Sequence, residues 1–148
     1  MQRSYGHWWS ACPSANTEFS RQNVPETPAQ DFIVVKFDEY LIPNEDGVKI
    51  YETFNPGAVI RIWAFTVEKD WILLWSGSPQ ICEKKARIFS PPIKKLAVGT
   101  KILKIEFNHS LCDYYTALDA ILLVGKKCNY SSNVDSNYLE NLQRKGWF

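Results

Sequence analysis

The chain has 148 residues, which suits one domain, and its 45% apolar and 22% charged residues are ordinary for a globular protein. A chain of this size buries roughly 70% of its unfolded surface, enough for a core without covalent staples. A formal net charge of +1 gives the whole molecule no electrostatic footprint for nucleic acid. No apolar run approaches the roughly 18 residues of a membrane-spanning helix, so no transmembrane segment is expected.

Residues 1–30 read as irregular, because Pro13, Pro25 and Pro28 discourage both helix and central strand. Short runs of period-two alternation follow. Phe32–Phe37 puts Ile33, Val35 and Phe37 on one side. Pro43-Asn44-Glu45-Asp46-Gly47 reads as a turn leading into a strand over Gly47–Phe54. Asn55-Pro56-Gly57 is a strong turn signal, since Pro presets φ and Gly accepts φ > 0. Strands over Ala58–Thr66 and Trp71–Trp75 come next, closed by Ser76-Gly77-Ser78-Pro79. A weaker strand over Ala86–Phe89 ends at Pro91-Pro92.

The cleanest alternation is Lys101–Phe107, with Leu103, Ile105 and Phe107 inward and Ile102, Lys104 and Glu106 outward. Leu118–Val124 places Leu118, Ala120, Leu122 and Val124 on one face before Gly125 stops it. About seven short strands with no room for crossover helices predict an antiparallel sandwich or jelly roll, not a parallel α/β sheet. Residues 127–148 form a polar linker in which Asp135–Leu142 has the pattern of a short capped helix.

Charge is unevenly spread: residues 1–80 hold 6 Lys and Arg against 10 Asp and Glu, and residues 81–148 hold 11 against 6. The Lys84–Lys104 stretch reads either as a solvated face with edge-strand protection or as a surface for an acidic partner. Cys12, Cys82, Cys112 and Cys128 show no C-x-x-C spacing, so zinc and thioredoxin-like chemistry are unsupported. Met1-Gln2-Arg3-Ser4 leads directly into a polar, aromatic segment. No signal peptide is read there, and an intracellular chain with reduced thiols is expected. The sequons at Asn108 and Asn129 matter only for a secreted chain.

No catalytic constellation emerges. His109, Cys112 and Asp113 are close in sequence, but nucleophile, base and orienter usually come from separated segments. The carboxylate pairs Asp38-Glu39 and Glu45-Asp46 sit in apparent turns, where solvent leaves nothing to split their pKa values. They lack the D-x-D-x-D spacing of a Ca²⁺ loop, so no metal is expected. Aromatics make up 14% of the chain and serve either core filling or contact surfaces. Tyr5, Trp8, Trp9, Tyr114 and Tyr115 fall in or beside loops, where they stack on a ligand or plug an open end of the core. Arg61, opposite in phase to Ile60 and Ile62, either reaches a partner's carboxylate or stacks beside Trp63.

Four blocks carry a specific resemblance: Tyr5-Gly6-His7-Trp8-Trp9-Ser10-Ala11-Cys12-Pro13-Ser14-Ala15, Asn55-Pro56-Gly57-Ala58-Val59-Ile60-Arg61-Ile62, Leu74-Trp75, and Tyr114-Tyr115-Thr116-Ala117-Leu118-Asp119-Ala120. In order and spacing, over residues 5–125, the chain resembles the discoidin-like domain of mitochondrial F-box and leucine-rich-repeat ubiquitin-ligase substrate receptors. The resemblance implies a galactose-binding-like jelly roll and a role in turnover of mitophagy receptors. It transfers no catalytic residue. Leucine-rich repeats, a complete F-box and the family's mitochondrial targeting stretch are not in this sequence. Tyr138–Leu142 resembles an F-box opening only faintly, lacking the following Pro. The expectation is a domain fragment, a truncated product or a stand-alone paralogue, to which ligase activity does not carry over.

Together these readings predict an all-β antiparallel β-sandwich jelly roll, discoidin-like and galactose-binding-domain-like, over residues 1–126. It is expected to be non-catalytic and without cofactor. Its predicted partner is a protein, either ubiquitin-ligase components or a substrate, met through Trp8, Trp9, Tyr40, Asn55, Tyr114 and Tyr115. The alternative is a carbohydrate-binding or phospholipid-binding module on the same fold.

Overall fold

The computed structural model describes residues 31–82, 85–112 and 116–128. The helix expected at 135–142 and the expected contacts Trp8, Trp9, Tyr114 and Tyr115 lie outside them. The described chain is all-β, with six strands and no helix among the described residues: β1 (Asp31–Phe54), β2 (Val59–Thr66), β3 (Trp71–Ser76), β4 (Arg87–Phe89), β5 (Thr100–Phe107) and β6 (Ala117–Lys127). They form one antiparallel sheet in the order β3-β2-β5-β1-β4, with β6 also paired to β1.

The long strand β1 curls this sheet. Its first half runs against β5, from Asp31↔Phe107 to Leu41↔Thr100, and its second half runs against β6 and β4. One strand serving two sets of neighbours brings both halves onto one core. Val48 and Ile50 of β1 and Leu123 of β6 join Ile62, Ala64, Leu74, Leu103 and Ile105 there, with Ile93 and Leu96 from the β4–β5 connection. Each such fully buried aliphatic side chain contributes about 1.5–3 kcal/mol before the entropy of ordering it is subtracted. Leu103, Ile105 and Phe107 point into this core, as their alternation predicts.

Three expectations are corrected. The first is the turn at Pro43–Gly47. It is absorbed into β1, merging two expected strands into one. Between Pro43↔Gly125 and Val48↔Leu123 β1 advances five residues while β6 advances two, so the excess is a bulge, not a strand end. Gly47 and Gly125 allow the strands this close: an added Cβ would lie 2.3 Å from the Val124 carbonyl oxygen and 2.2 Å from that of Ile42, respectively.

The second correction concerns β6. Leu118 packs on the core, but Ala120, Leu122 and Val124 are exposed, and Ile121 and Leu123 face inward instead. Tyr51 pairs with Ala120 but Glu52 pairs with Leu118, so Asp119 is an extra residue that reverses the alternation. The third concerns β5, whose Ile102 and Glu106 keep the outward phase, away from the core cluster, yet are both buried, not exposed as that phase suggests.

Candidate functional site

Two connections meet at one end of the sheet. Asn108 N donates to the Ala58 carbonyl at 2.7 Å, and Thr116 Oγ1 donates to the Asn55 carbonyl at 3.0 Å. The β1–β2 connection between them takes a left-handed path, with φ 49° at Asn55 and 115° at Gly57. Asn tolerates the first and only Gly accepts the second without strain. Asn55 is buried at the start of this loop.

A buried carboxylate secures the loop. Glu52 lies on the inward phase of β1, two residues beyond Ile50, and is 0% exposed. Its Oε1 accepts from Gly57 N at 3.0 Å and its Oε2 accepts from Arg87 Nε at 2.5 Å. Arg87 Nη1 in turn donates to Gln80 Oε1 at 2.9 Å, and its guanidinium lies 4.9 Å from the centre of the Phe89 ring. Gln80 N closes the circuit by donating to the Gly57 carbonyl at 2.8 Å. One carboxylate thus ties β1, the β1–β2 connection, the segment before β4 and β4 itself. Charge-assisted bonds of this kind are about twice as strong as neutral ones.

Of the three residues weighed for nucleophilic chemistry, His109 and Cys112 are described and Asp113 lies outside the described residues. His109 Nδ1 lies 3.0 Å from Asp31 Oδ2, and its ring stacks on Phe107 at a centroid distance of 5.9 Å. Cys112 Sγ is 4.0 Å from Thr116 Oγ1, and its N–H closes a turn on the His109 carbonyl at 2.9 Å. Asn108, the sequon asparagine, is buried and accepts from Ser110 N at 2.9 Å. Cys82, Cys112 and Cys128 are free thiols. Among the described residues no three His, Cys, Asp or Glu side chains are grouped to hold a metal. Glu45 and Asp46 line a shallow depression with Ser90 and Pro92. No helix among the described residues is long and apolar enough to cross a membrane.

Tyr40 is at the other end of the sheet from Asn55. There its carbonyl accepts from Cys128 N at 2.9 Å and its ring stands 4.3 Å from the buried Lys101 ammonium. The two expected contacts that fall on described residues therefore do not form one site. The outer face of β2 and β5 holds an ionic cluster instead. Glu106 Oε2 pairs with Arg61 at 2.8 Å and Oε1 with Lys104 at 2.7 Å. Arg61 thus meets a carboxylate of its own chain, and the Lys104 ammonium lies 5.0 Å from the Phe32 ring centre.

Burial pushes the Glu106 carboxyl upward, but Lys104 and Arg61 outweigh it and hold the group below its ordinary value of 4.5. The Trp63 indole favours the charged form as well, although its buried N–H makes no proper hydrogen bond. A folded-state value below the unfolded one stabilises the fold above the unfolded value. That contribution is lost as pH falls through the folded one. Urea unfolding from pH 7 to 3 is therefore expected to lose stability more steeply below pH 4.5 in the native chain than in Glu106→Gln. Identical slopes would remove Glu106 from the acid response.

Sequence reasoning passed over Glu52, Arg87 and Gln80, although one signal was present. A carboxylate at Glu52 shares the alternation phase of Val48 and Ile50, and a charge on an apolar phase implies a buried partner.

No family model matches the chain, and no solved structure matches it. It is 40% identical over 139 residues to F-box/LRR-repeat protein 4 of Bos taurus, a match covering 84% of this chain and 21% of that protein. The match takes in most of the chain. The chain is related to F-box/LRR-repeat protein 4 and spans about a fifth of the length of that relative.

Proposed function

We propose that this chain is a non-catalytic protein-interaction module, a discoidin-like jelly roll of the galactose-binding kind. It is related to the discoidin-like domain of an F-box ubiquitin-ligase substrate receptor linked to mitochondria. The observation that carries this reading is the 40% identity to an F-box/LRR-repeat protein over 84% of the chain. The curled antiparallel sheet is compatible with it. A fold alone does not assign a function, so the relation in sequence carries the weight. In this reading the module contributes recognition and no catalytic step.

Affinity capture of the tagged chain from its own cells, with a simple-sugar wash, tests this. Ubiquitin-ligase or mitochondrial outer-membrane proteins that survive the wash are the expected result. Glycoproteins released by the sugar would overturn it in favour of a lectin.

A further inference from the structure

The outer face of the β4–β1–β6 part of the sheet presents an apolar stripe to solvent. Ile88 is 57% exposed, Leu122 43% and Val124 38%. Register places them together. Tyr51 stands opposite both Ile88 and Ala120, Lys49 stands opposite Leu122, and Val124 and Lys126 continue along β6 on the same face. From strand spacing and rise the stripe is about 10 Å across and about 14 Å long. The reversal at Asp119 creates it, because without that extra residue these side chains of β6 would face the core.

Its charge surroundings define what fits it. Lys49 beside the stripe and Lys126 at its end have no carboxylate partner among the described residues, whereas neighbouring Lys127 pairs with Glu39 at 2.5 Å. A second copy packed face to face would bring four like-charged lysines into one small interface, and like charges across an interface are costly. The exposed side chains of the stripe also sit on strands β4 and β6, not on the loop tips that enter a lipid surface. A helix about 10 Å in diameter matches the width of the stripe, and acidic residues flanking its apolar side would meet the two lysines.

We propose that this face docks an amphipathic helix of a partner protein, with its apolar side on Ile88, Tyr51, Leu122 and Val124 and acidic flanks on Lys49 and Lys126. The proposal deepens the interaction-module reading and rests on it for biological meaning, but the binding itself is tested separately.

Two synthetic amphipathic helical peptides with the same Leu/Ile stripe, one flanked by Glu and one by Lys, are titrated into the isotope-labelled full chain and followed by NMR. The Glu-flanked peptide is expected to bind at least tenfold more tightly and to shift amides of residues 49–51 and 120–126. Ile88→Ser with Leu122→Ser should weaken it at least tenfold while leaving the melting curve near that of the native chain, since both side chains are exposed. Lys49→Glu with Lys126→Glu should invert the preference. No binding, equal binding of both peptides, or shifts confined to the Asn55 loop would overturn the proposal. So would self-association, or binding to phosphatidylserine vesicles, that these substitutions abolish. In the capture experiment, retention of ligase components by the serine variant would sink the surface and leave the module reading intact. Capture of none by the native chain would sink the module reading, while the peptide titration still decides the surface.

Discussion

Glu52→Ala is expected to lower the stability of the chain by about 3–5 kcal/mol, the usual cost of removing one partner from a buried ion pair. The carboxylate is 0% exposed and accepts from both Gly57 N and Arg87 Nε. Its loss strands the Gly57 amide and leaves the Arg87 guanidinium facing a cavity. Arg87 retains Gln80 and the Phe89 ring and is 28% exposed, so water screens part of the penalty and the lower half of that range is favoured. Glu52→Gln should cost less, because an amide oxygen still accepts from Gly57. Urea denaturation followed by tryptophan fluorescence measures both variants. A loss under about 1 kcal/mol for the alanine variant would mean the carboxylate does not secure the loop.

Gly57→Ala is expected to cost about 3 kcal/mol from two sources that act together. At φ 115° an L side chain is strained, and its Cβ would come within 2.3 Å of the Gln80 carbonyl oxygen. The obstructing atom is backbone, so relief requires the segment before β4 to withdraw. Withdrawal also breaks the Gln80 N to Gly57 carbonyl bond at 2.8 Å. Thermal unfolding by circular dichroism reads the effect. If Gly57→Ala melts like the native chain, the close approach of the two segments is wrong. A double-mutant cycle with Glu52→Ala should show the losses to be less than additive, because both variants release the same pair of segments.

Strand identity was legible in the sequence, but strand continuity and face were less so. Lys101–Phe107 reads correctly because its alternation is unbroken and Leu103, Ile105 and Phe107 all reach the core. Pro43–Gly47 looks like a turn because its residues are turn formers, yet pairing of β1 with β6 on both sides of it carries the strand through as a bulge. The face of β6 was misread for a related reason. One extra residue at Asp119 reverses the alternation, and local sequence does not mark a residue that pairing leaves over.

At the candidate site, the Asn55-Pro56-Gly57 turn was legible from its backbone chemistry, and Gly57 takes the positive φ expected of it. The tie that holds it was not. Glu52 and Arg87 are 35 residues apart, and only the pairing of β1 with β4 brings them together. Asn55 and Tyr40 both looked like loop contacts. One is buried in the β1–β2 connection and the other sits beside a buried lysine at the opposite end, placements set by tertiary packing.

The most direct test of the proposed role is a chimaera in which this chain replaces the matching fifth of F-box/LRR-repeat protein 4, expressed in cells lacking that protein. Recovery of the protein partners that the intact F-box/LRR-repeat protein 4 captures, lost again in the Glu52→Ala chimaera, is the predicted result. A chimaera that folds yet captures no more partner protein than one with the segment deleted would contradict the interaction-module account.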